Sequence, residues 1–433
     1  MCSPPDRVGD TLIGGPGQPP SAVCEAPLPY RREGWLRATM GPVTAGGVPV
    51  GRSGRGVRWL LAALAVTALA GYGSRPAGAS PNPPDQGALT AQALEAGADH
   101  ACIVTGSPQP DVDWSELHNP ILSEPAGGVK DQAIIWAGGR WHMLFSYVVD
   151  DPSFPGGVRW NIATATSQDL VHWTHPAAWP LQRGVLGVAS PDIVRSPSGA
   201  YLVTYQSDPG AASPSDDQAR LFYRTSTDLR TWSAPRPLAQ SLAPSPGDRM
   251  IDGAFVYTGH QLLVGFKYSS PTQPDVFEIA RSTTGTPAGP WRLVGRPDIE
   301  VRGDTIENYE FVAAAGRWRL VATSNTLDEP WIFTLAGDPG RAGGWLRWDH
   351  GYELQVPSEA FDTGPGVSSI DYEHANSAFL CDARVGSGGY YYLLYAGSDE
   401  LTQFDGWGHA EVGVARSTDL IHWQVPPERS PPR

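Results

Sequence analysis

One octapeptide pattern constrains this chain more than any other feature. Thr166-Ser-Gln-Asp-Leu-Val-His-Trp173 recurs as Thr225-Ser-Thr-Asp-Leu-Arg-Thr-Trp232 and again as Arg416-Ser-Thr-Asp-Leu-Ile-His-Trp423. Degenerate copies end at Trp291 and Trp348, so successive tryptophans stand 59, 59, 57 and 75 residues apart. A second series keeps the same beat: Gly-led turns at Gly139, Gly199, Gly259, Gly316 and Gly389, each followed by an aromatic-rich strand. A period of this size marks a radial array of β-meanders, each too small to bury its own apolar face alone. Five turns and five tryptophans predict an all-β, five-bladed β-propeller. A β-sandwich is the alternative for a strand-rich chain, but it has no reason to repeat at a constant period.

Composition agrees: 50 Gly, 42 Pro, 16 Trp and 15 Tyr among 433 residues suit short strands and tight turns. Residues 1–79 read as an N-terminal extension and signal peptide. Arg52, Arg55 and Arg58 precede the apolar run Trp59–Gly71, and Ala77-Gly-Ala79 offers a cleavage site. That run is short for a membrane span, and translation starting at Met40 would suit it. Secretion is therefore expected, with a linker over 80–110 and the catalytic propeller over 111–433. The formal charge of −14 rises to about −18 once the Arg-rich extension is set aside, which speaks against nucleic acid and anionic membranes as partners. Export leaves Cys102 and Cys381 in an oxidising compartment, where they are expected to pair.

The inner strand of each blade lines a central funnel, so residues in one phase of several blades converge. Asp131, Asp192 and Asp252 each stand about seven residues before their glycine turn, and Glu307 stands nine before Gly316 with Glu310 as a competitor. Strand alternation would turn Glu310 into the blade if Glu307 faces the funnel. A lone Asp before a strand usually caps a turn, but four acids in one phase point to divided acid and base roles. Glycoside cleavage needs such a set: one carboxylic acid protonates the leaving oxygen and an opposed carboxylate activates water or attacks carbon. There is no HxH or HExxH zinc pattern and no nucleophile-elbow motif in the repeats.

At these residues the chain resembles the five-bladed propeller hydrolases of glycoside hydrolase families 43 and 62, over most of residues 115–425. The resemblance implies Asp131 as general base, Asp252 as the group that tunes proton affinity, and Glu307 as general acid. Their separations of 121 and 55 residues are similar to the family's. Lys130-Asp131 is similar to the family 62 opening, and Ser190-Pro-Asp192 to an Ala-Pro-Asp element of family 43. Glu373-His-Ala-Asn-Ser377 resembles a Gly-His-x-Ser element at the funnel base, where calcium is often held. Lys130, Asp192 and His374 are thus implied in substrate binding. His374 is the one candidate metal ligand, for a structural calcium; no cofactor is required for hydrolysis. Two departures stand out, Glu373 for the usual Gly and Glu307-Asn308 for Glu-Gly-Pro. The motifs of sucrose- and fructan-cleaving relatives are absent.

The function these readings favour is a secreted, monomeric, inverting α-L-arabinofuranosidase-like glycosidase acting on polysaccharide or oligosaccharide. The enzyme alternatives are a β-xylosidase, an endo-arabinanase or a hydrolase of another furanoside. The alternative outside enzymes is a sugar-binding propeller whose acids only bond hydroxyls.

Overall fold

A computed structural model describes residues 102–427, except 125–126, 155–156, 181–186, 209–217, 260, 300, 326–328, 358–374, 385–387 and 398–409. Every described residue belongs to one compact unit, Pro81–Arg433. The signal segment, most of the linker and His374 lie outside the described residues.

Antiparallel meanders make up this unit. The first comprises β1 (Gly127–Ala137), β2 (Arg140–Asp150), β3 (Val158–Ser167) and β4 (Ala177–Ala178); the next comprises β5 (Gly187–Arg195), β6 (Tyr201–Asp208), β7 (Arg220–Ser226) and β8 (Arg236–Pro237). Among the described residues, one parallel bridge, Trp160 to Gly187, joins them into one sheet. Then follow β9 (Arg249–Thr258) to β12 (Trp291–Gly295), β13 (Ile306–Ala314) to β16 (Tyr352–Glu353), and β17 (Asn376–Asp382), β18 (Tyr391–Gly397) and β19 (Glu411–Ser417). Within these runs lie β10 (Gln261–Ser270), β11 (Gln273–Ser282), β14 (Arg317–Ser324) and β15 (Pro330–Thr334). Inner strands β1, β5, β9, β13 and β17 each pack on the next, and β17 returns to β1, so the described blades form a closed ring. The core is accordingly distributed between neighbouring sheets: Trp141, Phe145 and Tyr205 fill one cluster, Phe255 and Phe266 another, Phe311, Trp318 and Trp345 a third. Each such fully buried side chain stabilises by roughly 2–3 kcal/mol.

The repeated octapeptide is a self-capped turn. In the first copy Ser167 Oγ accepts the N–H groups of Asp169 and Leu170, while Asp169 Oδ1 accepts those of Val171 and His172. The same four bonds recur around Ser226 and Asp228 and around Ser417 and Asp419. They hold Leu170, Leu229 and Leu420 at φ 66, 60 and 66° with their side chains buried. These bonds to the ionised carboxyls hold Asp169 and Asp228 near pKa 2 against whatever burial raises.

Ring closure uses the segment before β1. Leu122 exchanges backbone hydrogen bonds with Val412 of β19, and the Asn119 amide bonds both the N–H and the carbonyl of Val414, imitating a strand neighbour. Cys102 and Cys381 form a disulfide with Cα atoms 5.3 Å apart across 279 residues of sequence. The Arg416 guanidinium lies 4.3 Å from the ring centroids of both Trp114 and Tyr390.

Candidate active site

Every inner strand carries a β-bulge at the same depth. Pairing registers slip between Lys130 and Ala133, Ala189 and Asp192, Glu307 and Glu310, and Asn376 and Phe379, and opposite β9 between Gly265 and Lys267. Each slip coincides with a residue in the left-handed region: Asp131 (φ 52°), Ser190 (51°), Asp252 (52°), Asn308 (50°) and Ser377 (53°). A non-glycine residue there costs on the order of 1–2 kcal/mol, and five at one depth mark the place where strain serves a site. The bulges re-aim these five side chains into one polar pocket on the axis, lined also by Gln132, Asp192, Gly253, Tyr309, Glu310 and Phe379. Asn308 at this backbone explains the departure from Glu-Gly-Pro: Asn is the residue that, after glycine, most readily takes a left-handed conformation.

Asp131 is held by hydroxyls from three blades. Ser146 donates to it at 2.6 Å, Ser377 at 2.7 Å and Ser190 at 3.3 Å. Ser146 in turn accepts the Ser190 N–H at 2.8 Å, and Gln132 donates to the Ser377 carbonyl at 2.6 Å. The carboxyl is thus fixed in orientation, with its residue only 8% exposed.

Asp252 and Glu307 share a cation. Lys267, 3% exposed on β10, places Nζ in contact with Glu307 Oε2, 2.9 Å from Asn325 Oδ1 and 3.8 Å from Asp252 Oδ2. Burial pushes Asp252 up to about 6; Lys267 opposes this, and the Glu307 and Asp131 charges add to it. Burial alone would lower Lys267, but the two carboxyls outweigh it and raise its pKa. Glu307 is the more accessible acid, its side chain 21% exposed against 5% for Asp252; like Lys130 it precedes a left-handed residue, and it is its neighbours Asn308, Tyr309 and Glu310, not Glu307 itself, that line the pocket. Tyr309 beneath them is buried and its hydroxyl is pushed well above the usual phenol value, first by burial and then by the two acids.

Asp192 and Glu310 occupy different places from those expected. Asp192 lies two residues beyond Ser190, which holds the bulge position in its blade, and Glu310 lies two beyond Asn308. The bulge adds a residue, cancels the alternation, and turns Glu310 toward the channel instead of into the blade. Both acids are buried below the five-residue ring, where Asp192 accepts the Phe255 N–H at 3.1 Å and Glu310 the Leu380 N–H at 2.6 Å, each on the following blade. Burial raises Asp192 to about 7 and Glu310 well above its ordinary value. Each ties its blade to the next. Lys130 precedes the bulge, opposite Ser146 in register, and does not line the pocket. Among the described residues no cluster of three metal-ligating side chains occurs.

The described geometry is thus a β-propeller with a strained, carboxyl-lined pocket on its axis. No protein-family model and no curated protein sequence matches the chain. Among solved structures it is similar to a glycosyl hydrolase from Bacteroides ovatus, with TM-score 0.50 and 14% identity over 75% of this chain and 97% of that one. An α-L-arabinofuranosidase from Lactobacillus brevis matches at TM-score 0.48 and 13% identity, over 72% and 97% of the two chains. The Bacteroides ovatus xyloglucan GH43B protein matches at TM-score 0.46 and 17% identity over 71% of this chain, which spans 56% of that protein's length. At these identities the likeness is one of fold, the glycoside hydrolase propeller, and not of activity.

Proposed function

We propose that the protein is a secreted glycoside hydrolase of the arabinofuranosidase and xylosidase kind, acting on polysaccharide or oligosaccharide at the axial pocket. The observation that carries this reading is the inequality of its three acids. Asp131 is fixed by three hydroxyl donors, Asp252 is buried and pushed up to about 6 by that burial, and Glu307 is the most exposed of the three. Hydrolysis needs one carboxylate that takes a proton from water and one carboxyl that gives a proton to the leaving oxygen. Asp131 is oriented for the first role. Glu307 has the exposure to reach a leaving group, and Lys267 links it to Asp252, whose carboxyl burial pushes up to about 6. Inversion is the outcome if a water fits between Asp131 and the sugar.

A sugar-binding propeller without catalysis would gain nothing from three carboxyls held in such unequal environments. The test is release of sugar from chromogenic arabinofuranosides, xylosides and polysaccharides, with proton NMR of the first-formed anomer. Inverted product from an arabinofuranoside is expected. No release from the whole panel, with binding intact, would replace this reading by the binding one.

A further inference from the structure

Four of the described blades place a polar side chain at one register position, opposite the residue that precedes the left-handed one. On the second strand this position is Ser146 facing Lys130, Gln206 facing Ala189, Lys267 facing Ile251 and Thr323 facing Glu307. All four are 3% exposed or less. In three of them the side chain reaches forward and accepts the bulge N–H of the following blade: Ser146 from Ser190 at 2.8 Å, Gln206 from Asp252 at 2.8 Å, Thr323 from Ser377 at 3.0 Å. The blade-to-blade bond is thus a repeated structural device, and its requirement is an acceptor.

Lys267 breaks the device. An ammonium has three donors and no acceptor, so it cannot cap the N–H of Asn308, the equivalent group in the next blade. It turns instead to Glu307, Asn325 and Asp252. Burying a charge where Ser, Gln and Thr serve elsewhere is costly unless the charge does something the neutral residues cannot. From this substitution within the repeat we infer that Lys267 is a positioning residue: it turns the Glu307 carboxyl toward Asp252 and sets the proton affinity of the pair, at the expense of one inter-blade bond. The inference rests on the proposed catalytic reading for its consequence, though not for its geometry.

Lys267→Gln tests it, because glutamine is what Gln206 already is at the same place in the second blade, where it accepts a bulge N–H. The variant should fold, with urea stability equal to or above that of the parent at pH 7. Without the cation the Asp252 titration, read by carbon-13 NMR of the side-chain carboxyls in the full chain, should move upward from about 6 by a unit or more. In turnover, kcat should fall at least tenfold with KM little changed, and the basic limb of the pH profile should move up in step with the NMR shift. Lys267→Arg should keep the charge and restore much of the profile. If the parent hydrolyses nothing on the panel, the catalytic reading fails while the titration still decides the electrostatic half. An unmoved Asp252 titration, or a Gln variant with parental kcat and pH profile, would overturn the inference.

Discussion

Asp192→Asn isolates the energetics of burying an acid between blades. The parent carboxyl is buried without a cation beside it, and its pKa rises from 3.8 to about 7. A group whose folded pKa lies above its unfolded value contributes stability that is fully present below about pH 3.8 and is lost as pH rises through about 7. A rise of about three units at 1.36 kcal/mol each makes the loss roughly 4 kcal/mol between pH 4 and 8. Asparagine keeps the carbonyl oxygen that accepts the Phe255 N–H and cannot ionise. The variant should therefore be less stable than, or equal to, the parent at pH 5 and more stable at pH 8. The difference between variant and parent should change most steeply between about pH 4.5 and 6.5, where the unfolded carboxyl is ionised and the folded one is not, and level off above about 7. Urea unfolding at pH 5, 6, 7 and 8 measures this directly, with unchanged m values confirming that only the folded state is altered. A free-energy difference that stays constant across that range would show that Asp192 is ionised in the folded protein and refute the reasoning.

Asp131→Asn and Glu307→Gln should each fold, bind sugar with little change in Kd and lose at least a hundredfold in kcat, measured by calorimetry and steady-state kinetics. Asp252→Asn removes a negative neighbour of Glu307, so the basic limb of the kcat/KM profile should move to lower pH; an upward move would reassign the pair. Removing the disulfide by Cys102→Ala with Cys381→Ala should destabilise by at most about 6 kcal/mol in the chain-entropy model, and by less because Leu122 and Asn119 also close the ring. Denaturant midpoints of the parent and the double variant decide it. Mass spectrometry of culture supernatant should find a mature chain beginning near Ser80.

The blade period was legible because its cause is local: Ser167, Asp169 and Leu170 cap, bond and bury within one turn, and the same turn is written out at Ser226 and Ser417. Asp131 and Asp252 were legible because each sits six residues before the end of its strand and the following turn is only two residues long. Asp192 was misphased by the longer turn between β5 and β6, which spans 196–200; in pairing register it is Ser190, immediately after Ala189, that matches Asp131 and Asp252. Glu310 was misdirected by the bulge, since a period of two does not survive an inserted residue. Ser377 and Ser190 carry no charge to draw notice, yet both hold Asp131. Lys267 could not be found by the phase of the inner strands, because it arrives from β10 and its meaning lies in a pairing register that only the folded sheet defines.

The left-handed backbone at the ring of bulges also restricts what the axis can ever present. A conformation with φ near +50° favours glycine and short polar residues, and larger side chains enter it only where other bonds hold them, as the capping bonds hold Leu170, Leu229 and Leu420. The five occupants, Asp131, Ser190, Asp252, Asn308 and Ser377, are all drawn from that short alphabet. Mutational drift at these positions can exchange a carboxylate for an amide or a hydroxyl, but a β-branched side chain or a long ammonium enters there only under strain. Groups with longer reach must enter from positions that the ring does not constrain, as Glu307 does from one residue before it and Lys267 from the strand behind.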